Sequence, residues 1–294
     1  MEHLLTVFIA VTEHGSFTKA GSYLHLTQPT VTASIKQLER KYNAVLLDRT
    51  NKYVRLTKSG EVVYHYAKKM QQYQIKMENV LADMHQNAAG TVTIGASYTY
   101  GEYMLPAVIA KLRATYPNIT PVITIQNSEN ILDLLAHNQL DIGIIEKKLT
   151  NDVLTIQPFQ NDELVCVFPA DHPALQKNPL LPADLTKEDW IIREEGSGTR
   201  EMQMAFLERE AIRLEKIPLV FSSTQPIKEA IKLGLGISLL SRLSIQAELA
   251  SGEFLMIQDP AFTISRSFSL VKNKNDYPLK ITELVEAIIY SMAN

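Results

Sequence analysis

The chain has 294 residues, 46% apolar and 21% charged, with a net charge of −3; this exceeds one ordinary domain and suits two or three, each able to bury its own core. No run approaches the roughly 18 consecutive apolar residues of a membrane span, residues 1–17 show neither a basic n-region nor a small-residue cleavage site, and the single Cys166 excludes an intramolecular disulfide or a Cys-based zinc site. A cytoplasmic protein without membrane partner, metal or cofactor is expected, and its charge is divided: 11 Lys/Arg against 7 Asp/Glu over residues 1–90, then 18 against 25 over residues 91–294, the asymmetry of a nucleic-acid-binding module joined to an acidic remainder.

Leu4, Leu5, Phe8 and Val11 recur at helical spacing and stop at His14-Gly15, where glycine can supply a left-handed cap. Ser16 then caps a short second helix carrying Phe17, Thr18, Ala20 and Leu24. After the turn His25-Leu26-Thr27, Thr27 caps a third helix with Gln28 and Pro29 in its first turn, where a missing backbone N–H costs nothing. Val31, Ile35 and Leu38 form its inward stripe, leaving Gln28, Thr30, Thr32, Ala33 and Lys36 outward. A recognition helix needs such a set: Gln pairs with adenine, Thr and Ala methyls meet the thymine methyl, and Lys reaches phosphate or guanine. A generic amphipathic helix with a solvated face fits the same pattern. The next segment favours the DNA-binding alternative. Val45-Leu46-Leu47 reads as a strand, Asp48 to Lys52 as a polar turn and Tyr53 to Leu56 as the returning strand, so that Arg49, Lys52 and Arg55 sit on a wing.

These residues carry a resemblance. The run GSFTKAGSYLHLTQPTVTASIKQLE, followed by LLDRT and VRLTKSG, resembles the N-terminal signature of LysR-type transcriptional regulators over some fifty residues, including Ser16-Phe17, Ala20, Gln28-Pro29, Ser34-Ile35, Leu38-Glu39, Arg49 and the turn from Thr57 to Gly60. Gly21 stands where Ala is usual, Thr27 where Ser is usual and Asn43 where Gly is usual. The resemblance implies a winged helix-turn-helix over residues 1–58 that binds double-stranded promoter DNA through Ser16, Thr18, Thr27, Gln28, Pro29, Thr30, Thr32, Ala33, Lys36, Arg49, Lys52 and Arg55, with RNA polymerase as a further partner.

From Thr57, a third predicted N-cap, the chain reads as one helix to about Asn87, with Val63, Tyr66, Met70, Tyr73, Met77, Val80 and Met84 alternating at spacings of three and four. That is a coiled-coil seam. About 30 residues span roughly 45 Å, more than one domain buries, so residues 59–90 are expected to pair with a second chain; burial against the protein's own second domain is the competing reading. The resemblance implies a homodimer through this helix and a homotetramer beyond it.

After Gly90 strands alternate with helices: strands at 91–96, 120–126 and 140–146, helices at 102–116 and 128–138, then strands at 164–168, 190–193, 218–222 and 237–240 around helices at 199–212 and 226–233. Cys166 in ELVCVF reads as a buried structural thiol. The whole is an α+β multidomain chain whose residues 91–294 resemble the periplasmic-binding-protein-type α/β effector domain of LysR regulators, with hinge strands near Phe159 and Ser267, subdomain I at 91–161 and 268–294, and subdomain II at 162–267.

Ligands of open α/β sheets gather beyond the carboxyl ends of the strands. Ser97 and Thr99 follow the first strand, Ser128 the second and Thr224 a later one; Gly196, Ser197, Thr199 and Arg200 form a glycine turn with two hydroxyls and a cation suited to oxyanions. A glycine turn that merely starts a helix is the bland alternative. Glu146 ends the third strand, where it would oppose an anion or contact an amine. The resemblance places the effector among these residues, and the GSGTR run is similar to that of the cysteine and sulfur-metabolism branch, which implies a carboxylate or an inorganic oxyanion such as a sulfur oxyanion. An enzyme fits poorly: the seven histidines are scattered, H-E-x-x-H and G-x-S-x-G do not occur, and GSGTR lacks the Gly-Lys-Ser/Thr ending of a P-loop. A transporter's solute-binding protein would match the C-terminal part, but the expected absence of a signal peptide and the attached helix-turn-helix oppose it.

Overall fold

The computed structural model describes residues 2–49, 54–84, 89–147, 151–177, 179–214, 217–274 and 279–293. The chain divides into two compact units, Met1–Leu81 and Ala82–Asn294.

In the first unit, α1 (Glu2–His14), α2 (Phe17–Tyr23) and α3 (Gln28–Tyr42) pack Leu5, Phe8, Val11, Ala20, Val31, Ile35 and Leu38 into one core. The caps set the boundaries. Ser16 Oγ accepts from Lys19 N (3.3 Å), Thr27 Oγ1 accepts from Thr30 N (3.3 Å), and Asn43 ends α3 in the left-handed conformation at φ 47°, each cap being worth about 1 kcal/mol. The hairpin β1 (Leu47–Arg49) and β2 (Val54–Leu56) is antiparallel with Asp48 opposite Arg55; Thr50 to Tyr53 fall outside the described residues. Thr57 caps α4 (Lys58–Met84) by accepting from Gly60 N at 3.0 Å. At Gly60 a Cβ would run into the Leu46 carbonyl oxygen, so glycine lets the helix start against the strand. Val63, Tyr64 and Ala67 join the core of the three helices. The first turns of the long helix thus pack on the helix-turn-helix, and the compact unit that contains them is Met1–Leu81.

The second unit is built on a seven-stranded sheet ordered β10-β6-β11-β5-β3-β4, with β9 also on β6. Its first lobe holds β3 (Gly90–Ser97), α5 (Tyr98–Tyr103), α6 (Leu105–Thr115), β4 (Ile119–Gln126), α7 (Ser128–Ala136), β5 (Ile142–Ile145) and the final α11 (Lys280–Met292). β3 lies parallel between β4 and β5. The helix expected over 102–116 is two helices, because Pro106 in the first turn of α6 has no N–H to continue α5. Two long strands, β6 (Leu154–Pro169) and β11 (Thr263–Asn273), pair antiparallel through both lobes, with a register shift at Phe268/Ser269. The second lobe adds β7 (Ile191–Arg193), α8 (Gly198–Arg209), β8 (Leu219–Phe221), α9 (Thr224–Lys232), β9 (Ser238–Ser241), α10 (Gln246–Ser251) and β10 (Phe254–Met256). Separate cores fill the lobes, one around Ile94, Ile144 and Val285, others around Trp190, Phe206 and Leu239 and around Ile191, Ile227 and Leu240. Cys166 is fully buried and its thiol is pushed up by that burial. No described helix is long and apolar enough to cross a membrane.

Candidate functional site

In the first unit, α3 turns Val31, Ser34, Ile35 and Leu38 into the core, which leaves Gln28, Pro29, Thr30, Ala33 and Lys36 exposed. Gln28, Pro29, Thr32, Ala33 and Lys36 line one shallow open surface with Gln37 and Arg40, two residues the outward set at the start of the helix did not include. Thr32 Oγ1 donates back to the Gln28 carbonyl (3.0 Å), while the Thr27 and Thr30 hydroxyls bond each other at 2.8 Å. Ser16 is half-buried as a cap, and Thr18 and Arg55 are exposed. The side chain of Arg49 and all of Lys52 lie outside the described residues.

Between the lobes of the second unit lies a buried polar cluster centred on Arg266, a residue of β11. Nε donates to Asp162 Oδ2 on β6 at 2.7 Å, Nη1 to Thr199 Oγ1 at 3.0 Å, and Nη2 to Thr99 Oγ1 at 3.2 Å. One terminal nitrogen thus meets the lobe that carries Thr199 and the other the lobe that carries Thr99. Glu146, just after β5, holds Oε1 at 3.6 Å from Nη2, and its Oε2 accepts from Ser128 Oγ at 3.0 Å. Asp162 also accepts from Ser241 Oγ at 2.7 Å. Arg266, Glu146 and Asp162 are 3%, 3% and 5% exposed, so one guanidinium stands against two carboxylates in a desolvated setting where charges act strongly. Ser97 Oγ, two residues before Thr99, is buried with no hydrogen-bond partner, a state that costs about 1–3 kcal/mol unless something satisfies it.

The lobes also meet along a rim. Glu129 N donates to the Gly196 carbonyl (3.1 Å), Asn127 Nδ2 to the Glu195 carbonyl (3.4 Å), and Lys147 pairs with Glu201 at 2.8 Å. Gly196 has φ +82°, a left-handed conformation that favours glycine, and a Cβ there would lie 2.6 Å from Glu129 Oε2, so that side chain would have to move for any other residue. Ser197 caps α8 by accepting from Arg200 N.

Of the residues singled out in the sequence, Thr99, Ser128, Glu146 and Thr199 converge on Arg266 or on one another, and Ser97 is buried two residues before Thr99. Arg200 is engaged elsewhere: Nη1 donates to the Arg193 carbonyl at 2.8 Å, and the side chain lines a shallow depression with Glu195, Glu201 and Glu208. Thr224 is buried as the first residue of α9, and none of its bonds reaches the cluster. Arg266, Asp162 and Ser241 escaped notice. A signal existed: Asp162 shares the alternation of Leu164, Cys166 and Phe168, and a charge in the inward register of a strand demands a buried partner. A second buried cation, Arg193, grips Glu194 with Nε and Nη2 (2.7 and 2.9 Å) under the Tyr98 ring. Burial raises the hydroxyl of neighbouring Tyr100 to about 12.

Residues 3–61 match the model of the bacterial regulatory helix-turn-helix protein, lysR family, and residues 85–292 that of the LysR substrate binding domain. The chain is 34% identical over 286 residues to the HTH-type transcriptional regulator CysL of Bacillus subtilis (strain 168), covering 96% of this chain and 95% of that one. The regulatory domain of Synechocystis PCC6803 CcmR, solved in complex with 2-PG, superposes with a TM-score of 0.64 at 26% identity over 69% of this chain and 97% of that one. Full-length CbnR bound to its target DNA shares the fold with a TM-score of 0.75 at 18% identity, covering 99% of each chain.

Proposed function

Because the chain belongs to the LysR family, and so is a transcriptional regulator with a DNA-binding helix-turn-helix and an effector-binding domain, we propose that its effector is a small anion held between the lobes by Arg266, Thr99, Thr199, Ser97 and Ser128. The observation that carries this reading is the Arg266 guanidinium: its two terminal nitrogens reach hydroxyls of opposite lobes, and each has a second N–H beyond those bonds. An oxyanion bridging that fork would bind both lobes at once and satisfy Ser97 Oγ. Arg266 takes the anchoring role that the sequence offers to Arg200, while Gly196, Ser197 and Thr224 shape the turns that frame the site. The similarity to CysL, together with the GSGTR turn, makes a sulfur oxyanion the first effector to test.

On the DNA side, Gln28, Thr30, Thr32, Ala33 and Lys36 read the major groove, while Ser16, Thr18, Thr27, Pro29, Arg49, Lys52 and Arg55 hold the backbone. The working form is a cytoplasmic homodimer paired through α4 and assembled into a homotetramer that meets RNA polymerase at the promoter. Effector binding shifts the balance between lobe arrangements and with it the spacing of DNA half-sites. Footprinting on the protein's own promoter with and without small anions, beside a thermal-shift screen, tests this: a native-state ligand raises the melting temperature. Protection that no anion alters, together with an unmoved melting temperature, would refute it.

A further inference from the structure

The cluster around Arg266 contains more negative charge than a plain anion site tolerates. Asp162 already neutralises the guanidinium through a 2.7 Å bond to Nε, directly opposite it on the paired strand. Glu146 is a second carboxylate, 3% exposed, and shares that same cation at 3.6 Å, beyond hydrogen-bond length. One oxygen accepts from Ser128; among the described residues the other has only the distant Nη2. The neighbouring Lys147 cannot compensate, since it pairs with Glu201 on α8. An acceptor-only anion seated on Arg266 would thus add a third anionic group to a single buried cation, with Glu146 Oε1 only 3.6 Å from Nη2.

A ligand that brings its own hydrogen-bond donor changes this. An ionised carboxylate only accepts, so a ligand O–H or N–H pointing at Glu146 Oε1 turns repulsion into a charge-assisted bond. We propose that Glu146 is the specificity-determining residue of this site and that the effector is a compact oxyanion carrying a donor, its charged oxygens on Arg266 and its donor on Glu146. Acceptor-only oxyanions are rejected. This deepens the anion reading of the cleft and rests on it. An acidic hydroxyl on a protonated oxyanion and an ammonium beside a carboxylate both supply the required chemistry.

Titration calorimetry on the full-length protein at pH 6.5 separates these cases, using sulfate as the acceptor-only probe, inorganic phosphate and sulfite as hydroxyl-bearing probes, and glycine as the ammonium-bearing probe. At least one donor-bearing probe should bind about tenfold or more tightly than sulfate, a factor worth about 1.4 kcal/mol. Which probe it is identifies the donor. In Glu146→Gln, the amide replaces a charged acceptor with a neutral group that also donates, so sulfate should gain affinity and the preference should collapse. The ratio between probes is the readout, and a general loss of stability would not move it. Sulfate binding the unaltered protein as well as every donor-bearing probe, or an unchanged ratio in Glu146→Gln, overturns the proposal. Binding of no probe to either form overturns the anion reading itself, and the proposal with it.

Discussion

Arg266 and Asp162 face each other across the two strands that join the lobes, Nε to Oδ2 at 2.7 Å, each with a side chain 1% exposed. Removing one member of such a pair strands the other, at a cost of about 3–5 kcal/mol. Arg266→Ala should therefore lower the melting temperature and abolish the effect of any anion on promoter occupancy, while DNA binding by the separate N-terminal unit persists. Arg200→Ala, whose guanidinium binds the Arg193 carbonyl, should leave the anion response in place. Gel-shift titrations of both variants with and without anion check this; loss of response in Arg200→Ala alone would reverse the assignment.

Gln28→Ala should relax base preference at one position of each half-site, with about 1–3 kcal/mol of discrimination lost. Arg55→Ala on the wing should instead weaken all sequences alike and reduce the salt slope by about one. Competition assays over a panel of operator variants at several salt concentrations distinguish the two.

Tyr66, Met70 and Met77 are each more than half exposed along α4, although the helix is anchored at its start by Val63, Tyr64 and Ala67. Apolar residues at that spacing require a partner helix. Met70→Glu combined with Met77→Glu should halve the particle mass seen by light scattering, or lower it from four protomers to two, with helical content retained. An unchanged mass would show that the subunits pair through another face.

Cys166 lies at 0% exposure with its thiol pushed up, so it should resist alkylation in the native protein and react at once in denaturant. The tyrosines offer a pH counterpart. Burial raises the Tyr100 and Tyr103 hydroxyls from 10.0 to about 12. The unfolded chain thus loses those protons first, and stability should decline as pH climbs from 10 toward 12 and be unaffected by these groups below that window. Tyrosinate absorbance and urea titrations at stepped alkaline pH give both quantities.

Much of the first unit was legible because its signals are local. Caps at Ser16, Thr27 and Thr57 and the stripe Val31, Ile35, Leu38 lie within a turn or two of what they control. The hydroxyls at strand ends were legible for the same reason. The cation between the lobes was not. Arg266 and Asp162 are 104 positions apart, and the register that sets them opposite each other is fixed by long-range pairing of β6 with β11. The sequence offers a hinge strand near Phe159 and a separate strand at 164–168; they are one strand, β6, because β11 supplies ladder partners through the polar residues between them.

The rim contact from Glu129 N to the Gly196 carbonyl is made by backbone atoms alone. At Glu129 any residue but proline, which lacks the N–H, can still make it, and at Gly196 the positive φ favours glycine. The rim contact and the cluster proposed to choose the occupant are thus carried by different atoms. Substitutions around Arg266 can retune what is bound without touching the backbone bond at the rim.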